Sequence, residues 1–186
     1  AKANIRAFEA SGAEIYVNNA GGCGAMLREY DRLFHDEPKW RERATRFVEK
    51  TRDISEVLAR SGLPACRKEW EGGIVYQDSC HLRNVQKIAE EPRQLLRSIP
   101  GAVYVEMAGA DRCCGSGGIY NLLHFEESMK ILDDKMKEVL KTGAKTIVTV
   151  NPGCHLQMRL GVKRMEATDR IRVRHLVEVL SEVYLE

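Results

Sequence analysis

The sequence has no run of 18 apolar residues, so none of its helices is predicted to cross a membrane. It has no secretory signal pattern, which removes the argument for an oxidising compartment and a disulfide framework. It has no excess charge of one sign: 29 Lys and Arg against 27 Asp and Glu leave a net +2. No dense Lys/Arg stripe with interleaved aromatics occurs either, so nucleic acid is not expected as a partner. Catalytic signatures are missing too. The "GSGG" at 115–118 lacks the Lys–Ser/Thr of a phosphate-binding loop and the spacing of a dinucleotide fingerprint. No Ser–His–Asp pattern is present, and a Cys–His hydrolase has no use for two adjacent cysteines. The starting Met is also absent. The chain opens on "AKANIRAFEASG" with Ala1, Ile5 and Phe8 on one helical face, and this mid-helix opening predicts a fragment of a longer protein.

What is present is an ordinary globular composition, 44% hydrophobic and 30% charged, with enough apolar material for a core without crosslinks. Strands are predicted at 14–20, 73–80, 102–108 and 145–151. Helices are predicted at 24–35, 38–60 (entered at Pro38), 82–99 (broken near Pro92) and 121–143 (closed by Gly143). Residues 170–185 read as strand-like, then helical. Alternating strands and helices predict an α/β fold with mainly parallel sheets flanked by helices. Ligands of such sheets bind beyond the carboxyl ends of the strands. Cys23, Cys80, Cys113, Cys114 and Cys154 all fall at or just after a predicted strand end.

The chain also repeats itself. "SGAEIYVNNAGGCGAML" aligns without gaps on "TGAKTIVTVNPGCHLQM", with Gly12 on Gly143, Val17 on Val148 and Cys23 on Cys154. "RDISEVL" likewise resembles "RHLVEVL". Residues 1–62 therefore read as the back half of one unit, 63–72 as a connector and 73–186 as a complete second unit. The first unit is truncated at its N-terminus.

In the second unit 32 residues separate Cys80 from Cys113, and 39 separate Cys114 from Cys154. Buried cysteine is common as a small hydrophobe, and Cys66, alone in the connector, fits that description. The shared strand-end position of the other four argues for a site. Four thiolates suit zinc or an iron–sulfur cluster. Gly115, Gly117 and Gly118 let backbone approach and offer N–H groups to sulfur. His81 and His155 each follow a candidate ligand directly, as ligands, as donors behind ligands or as surface residues. His35, His124 and His175 read as solvated or at helix ends.

"YQDSCHL", "RCCGSGGIYNLL" and "VNPGCHLQM" together resemble the cysteine-rich CCG domain, with its pattern C-xn-CCG-xm-CxxC. That family includes a cysteine-rich component of heterodisulfide reductase, lactate-utilisation proteins and the iron–sulfur subunit of glycolate oxidase, and "VNNAGGCGAMLREYDRLF" is most similar to the last. The resemblance implies two related CCG units, preceded by a ferredoxin-like segment with two 4Fe–4S clusters. It implies electron transfer from a flavin subunit carrying FAD, which oxidises glycolate, to a quinone or other acceptor. The location implied is cytoplasmic, at most peripheral at the inner membrane face through the complex. By position, Cys80, Cys113, Cys114 and Cys154 are the implied ligands of an iron–sulfur cluster, with Cys23 belonging to the first unit's own site. No catalytic residue is assigned to this chain. The sequence departs from the full pattern at Asn151 and Ala20, each standing where a further cysteine belongs. A four-cysteine cubane, a zinc site and an empty site all stay open. Two other functions also remain: a zinc-binding or metal-free assembly domain docking the flavin subunits, and a heterodisulfide or thiol–disulfide reductase.

Overall fold

The computed structural model describes residues 1–185. Its first segment runs α1 (Lys2–Ser11), β1 (Tyr16–Asn18), α2 (Gly21–Leu27), a 3-10 turn (Tyr30–Phe34), α3 (Pro38–Lys50), β2 (Thr51–Asp53) and α4 (Ile54–Ser61). Then follow β3 (Gly72–Tyr76), a π turn (His81–Val85), α5 (Glu90–Arg97), β4 (Ala102–Val105) and α6 (Tyr120–Leu123). The chain continues with α7 (Phe125–Thr142), β5 (Thr146–Thr149), α8 (Pro152–Arg164), β6 (Arg172–His175) and α9 (Leu176–Tyr184).

Two parallel sheets result. β1 pairs with β2, and four strands lie in the order β4-β3-β5-β6. The central strand β5 is buried at all four residues, as a parallel strand covered on both faces must be. Side-chain alternation divides the core. Ile74, Tyr76 and Val148 face α5 and α9, with Leu96, Leu176 and Val179, whereas Val75 and Ile147 face α7 and α8, with Leu132, Met136 and Met158. The chain leaves β3 for β4 on one side, then returns to lay β5 on the other. That reversal leaves a crevice beyond the carboxyl ends of β3 and β5. The first segment has its own core of Ile5, Leu27, Tyr30, Phe34 and Phe47.

The repeat is kept in register. Tyr16 pairs with Thr51 and Asn18 with Asp53; their counterparts pair as Ile147 with Val173 and Thr149 with His175. Asp53 and His175 occupy the same place: each caps a helix and forms a capping box with the glutamate three residues on, Glu56 or Glu178.

The structure corrects several helix boundaries. The helix expected at 38–60 is interrupted by β2, because Asp53 turns the chain out and restarts it at Ile54. The helix expected at 24–35 is α2 followed by a 3-10 turn. The break expected near Pro92 lies earlier, between the π turn and Glu90. Pro92 sits in the first turn of α5, where its missing N–H has no helical partner. Residues 152–164, to which periodicity assigns no element, form α8; Pro152 at its first turn is the available signal.

Candidate metal centre

Three strand ends converge on the crevice. Beyond β3, Gln77, Asp78 and Ser79 are buried and lead to Cys80. The Gln77 amide donates to the carbonyls of Asp78 (2.7 Å), Ala110 (3.2 Å) and Arg112 (3.1 Å), tying this turn to the segment that leads from β4 to Cys113. The buried Asp78 carboxylate accepts two bonds from Arg93, at 2.9 and 2.8 Å, and Arg93 also reaches Glu106 at the end of β4. Arg93 thus clamps the Cys80 turn to the strand that precedes Cys113. Beyond β5, Asn151 is the N-cap of α8, and Cys154 lies in its first turn.

The loop after Cys114 is held from below. Ser128 Oγ donates to the Gly115 carbonyl at 2.9 Å, Gln157 donates to Ser128 Oγ, and Asn121 donates to Gln157. Gly115 has φ +93°, and a β carbon there would lie 2.7 Å from the Ser128 carbonyl oxygen. The Gly115 N–H donates to Cys113 Sγ at 3.3 Å.

Cys23, Cys80, Cys113, Cys114 and Cys154 line one cavity of about 310 Å³, together with Gly117, Gly118 and Asn151. All five cysteines are free thiols, with Cys114 and Cys154 buried and Cys23 and Cys113 exposed. Cys23, expected at a separate site of the first unit, therefore lies with the other four. Among the described residues no group of three or more Cys, His, Asp or Glu side chains stands in metal-holding geometry. Neighbouring thiols nonetheless shift one another's proton affinity, in the series Cys80, Cys113, Cys114, Cys154.

Their proton affinities follow from that series. A hydrogen bond with Cys114 and then burial push the Cys113 thiol up, against the N–H groups of Gly115 and Gly117. For Cys114, the bond with Cys113 favours the thiolate, but the bond with Cys154 and burial outweigh it and push the thiol up to about 12. Burial and the neighbouring Cys113 raise Cys80. Cys154 alone is lowered: its bond with Cys114, helped by the Asn151 amide at 3.6 Å, overcomes burial. Three of these thiols hold their protons until a cation offsets the charge, since metal ligation requires the thiolate.

Cys66 is exposed, not a packed hydrophobe; its thiol donates to the Lys68 carbonyl, away from the cavity. His81 lines the cavity with Nδ1 3.5 Å from Cys80 Sγ, and burial lowers the proton affinity of the half-buried His155. His175 ties the two sheets together. Its Nδ1 accepts the Val177 N–H, which leaves the proton on Nε2, and Nε2 donates to the Asn19 carbonyl at 2.8 Å. Gln77, Asp78 and Arg93 were not legible in the sequence, where each is one polar residue among many.

A family model for the cysteine-rich domain CCG matches residues 74–159. The chain belongs to the CCG family. The CCG match begins in β3 and stops inside α8, so it takes in Cys80, Cys113, Cys114 and Cys154 and leaves Cys23 outside. The chain is 52% identical over 184 residues to the probable glycolate oxidase iron-sulfur subunit of Bacillus subtilis, covering 98% of this chain and 41% of that protein. It is 31% identical over 186 residues to lactate utilization protein A of Exiguobacterium sp., covering 98% of this chain and 74% of that protein. Lactate utilization protein A of Bacillus subtilis is 29% identical over 181 residues. This CCG chain thus spans less than half the length of the first of these relatives.

Proposed function

We propose that this chain is the cysteine-rich part of an iron–sulfur electron-transfer subunit in an oxidoreductase of 2-hydroxy acids, with glycolate the favoured substrate. One observation carries the reading: five free thiols line a single cavity at the switch point of a parallel sheet. The similarity to an iron–sulfur subunit supports it, and the higher identity to the glycolate oxidase relative than to the lactate utilization proteins favours glycolate.

The donor set fits an iron–sulfur group. Cys80, Cys113, Cys114 and Cys154 all reach one cavity, and a donor set made of sulfur alone suits an iron–sulfur cluster as it suits zinc; the similarity to an iron–sulfur subunit favours the cluster. Cys80, Cys113, Cys114 and Cys154 would hold the cluster, of the 4Fe–4S type. Bound there, it supplies one-electron transfer. The N–H groups of Gly115 and Gly117 favour the Cys113 thiolate, and Gly117 and Gly118 line the cavity beside it. Buried Lys135 donates to the Gly109 carbonyl and places a positive charge near Cys114. Removal of hydrogen from the 2-hydroxy acid belongs to a partner subunit with FAD, and a quinone or similar acceptor takes the electrons at the cytoplasmic face of the membrane. Among the described residues no helix is long and apolar enough to cross that membrane. Residues 1–62 and 73–186 are read as two related units.

Iron and acid-labile sulfide in anaerobically purified protein, with electron paramagnetic resonance after reduction, test the proposal. Cys113→Ser and Cys114→Ser should abolish iron binding, and Cys66→Ser should leave it intact. A colourless protein with stoichiometric zinc, or unchanged iron in both variants of the pair, would overturn it.

A further inference from the structure

Cys23 lies outside the CCG match, and the repeat makes it the counterpart of Cys154. The tertiary structure nonetheless carries it to the wall that Cys80, Cys113, Cys114 and Cys154 share. Its helix is fastened there by three bonds across the two segments. The Gly21 N–H donates to the Val150 carbonyl at 3.1 Å, the Gly22 N–H to Asn151 Oδ1 at 3.0 Å, and Gln86 Nε2 to the Gly21 carbonyl at 2.9 Å. The approach depends on glycine. A β carbon on Gly21 would lie 2.5 Å from Ser79 Oγ, next to Cys80, and one on Gly24 would lie 2.6 Å from both Asn18 Oδ1 and Gln86 Nε2. A side chain at these positions would have to displace Ser79, Asn18 or Gln86, the last of which holds α2 through the Gly21 carbonyl.

Asn151 lines the same cavity, at the place where a CxxC pattern puts its first thiol. It brings no sulfur. Its amide instead donates to Cys154 Sγ and accepts from Gly22, so the residue that removes one thiol holds the turn that brings another.

We propose that Cys23 is a fifth thiolate ligand of one metal site shared between the two segments, in place of a thiol at position 151. This rests on the reading of the cavity as a cluster site. It makes the docking of α2 part of metal binding: a ligand on each segment joins the two sheets when metal is bound, and metal loading stabilises the contact by linkage.

The test uses the whole chain as wild type, Cys23→Ser and Cys66→Ser, reconstituted anaerobically with ferrous iron and sulfide. Iron per chain, the Mössbauer spectrum, retention against a chelator and alkylation of residual thiols are measured. In loaded wild type, Cys23 should be protected from alkylation with the other four cysteines, while Cys66 is labelled. Cys23→Ser should change the iron spectrum and lower retention by about 10-fold or more, and Cys66→Ser should match wild type. If wild type loads but Cys23 is labelled as fast as Cys66 and Cys23→Ser keeps the wild-type spectrum, the shared site is overturned and the cluster reading survives with four ligands. If wild type takes up no iron, the cluster reading fails, and cobalt(II) decides the rest. Sulfur-to-cobalt charge-transfer absorption that weakens in Cys23→Ser supports the shared site; absorption unchanged in that variant, or absent from wild type, overturns it.

Discussion

Asn151 Oδ1 accepts the backbone N–H of Gly22 at 3.0 Å, although the two lie 129 residues apart in the chain. The same amide donates to Cys154 Sγ at 3.6 Å. Asn151→Ala removes both bonds while leaving every cysteine in place. Groups that orient metal ligands typically matter by about 10–100-fold in metal affinity. Iron retention in competition with a chelator should fall by that order, and retention equal to wild type would remove Asn151 from the site.

Arg93 and Asp78 form a buried bidentate pair, with side chains 5% and 1% exposed. Arg93→Met leaves the buried Asp78 carboxylate with the single 3.2 Å bond from Arg83, and breaking a buried pair from one side costs up to about 3–5 kcal/mol. The urea midpoint should fall accordingly. Arg93→Lys keeps the charge but not the fork, so it should fall between wild type and Arg93→Met.

Glu106 sets an acid limb to the stability. Burial pushes its carboxyl up, but hydrogen bonds from Arg93 and Tyr104 overcome this and hold it below its ordinary 4.5. A carboxyl lowered in the folded state contributes stability that is present above its unfolded value and lost as pH falls through the folded one. Urea midpoints should therefore decline below about pH 4.5, and Glu106→Gln should flatten that decline. An identical acid limb in wild type and Glu106→Gln would refute the assignment.

Gly115 and Gly118 both have positive φ, +93° and +68°, but their surroundings differ. A β carbon at Gly118 meets nothing within 4 Å, so Gly118→Ala carries only backbone strain, about 1 kcal/mol. At Gly115 the β carbon runs into the Ser128 backbone, so Gly115→Ala should cost more, toward about 3 kcal/mol. It should also displace the N–H that reaches Cys113. Thermal unfolding of the two variants side by side checks the order.

Much of this was legible along the chain because it is local. β-branched runs between amphipathic stretches mark β3 and β5, and turn residues mark where they stop. The strand-end position of Cys80, Cys113, Cys114 and Cys154 needs no more than that. The repeat was legible as well, and the shared register of Asn18 with Asp53 and Thr149 with His175 extends it into three dimensions. Helix boundaries were harder. A run such as 38–60 has helical periodicity throughout, and only the Asp53–Glu56 capping box, a signal four residues long, marks the restart.

The sequence by itself determined an α/β chain with a parallel sheet, four thiols at three strand ends and a glycine turn beside them, because strand length, turn chemistry and spacing are written over neighbouring residues. Only the tertiary structure decided where Cys23 goes. Its position depends on backbone-to-backbone approach at Gly21, on one amide at Asn151 and on the His175–Asn19 bond, which join residues far apart in sequence. Arg93 likewise became visible as a clamp only when folding buried it between two strand ends, since its partners Asp78 and Glu106 are selected by burial and geometry, not by spacing.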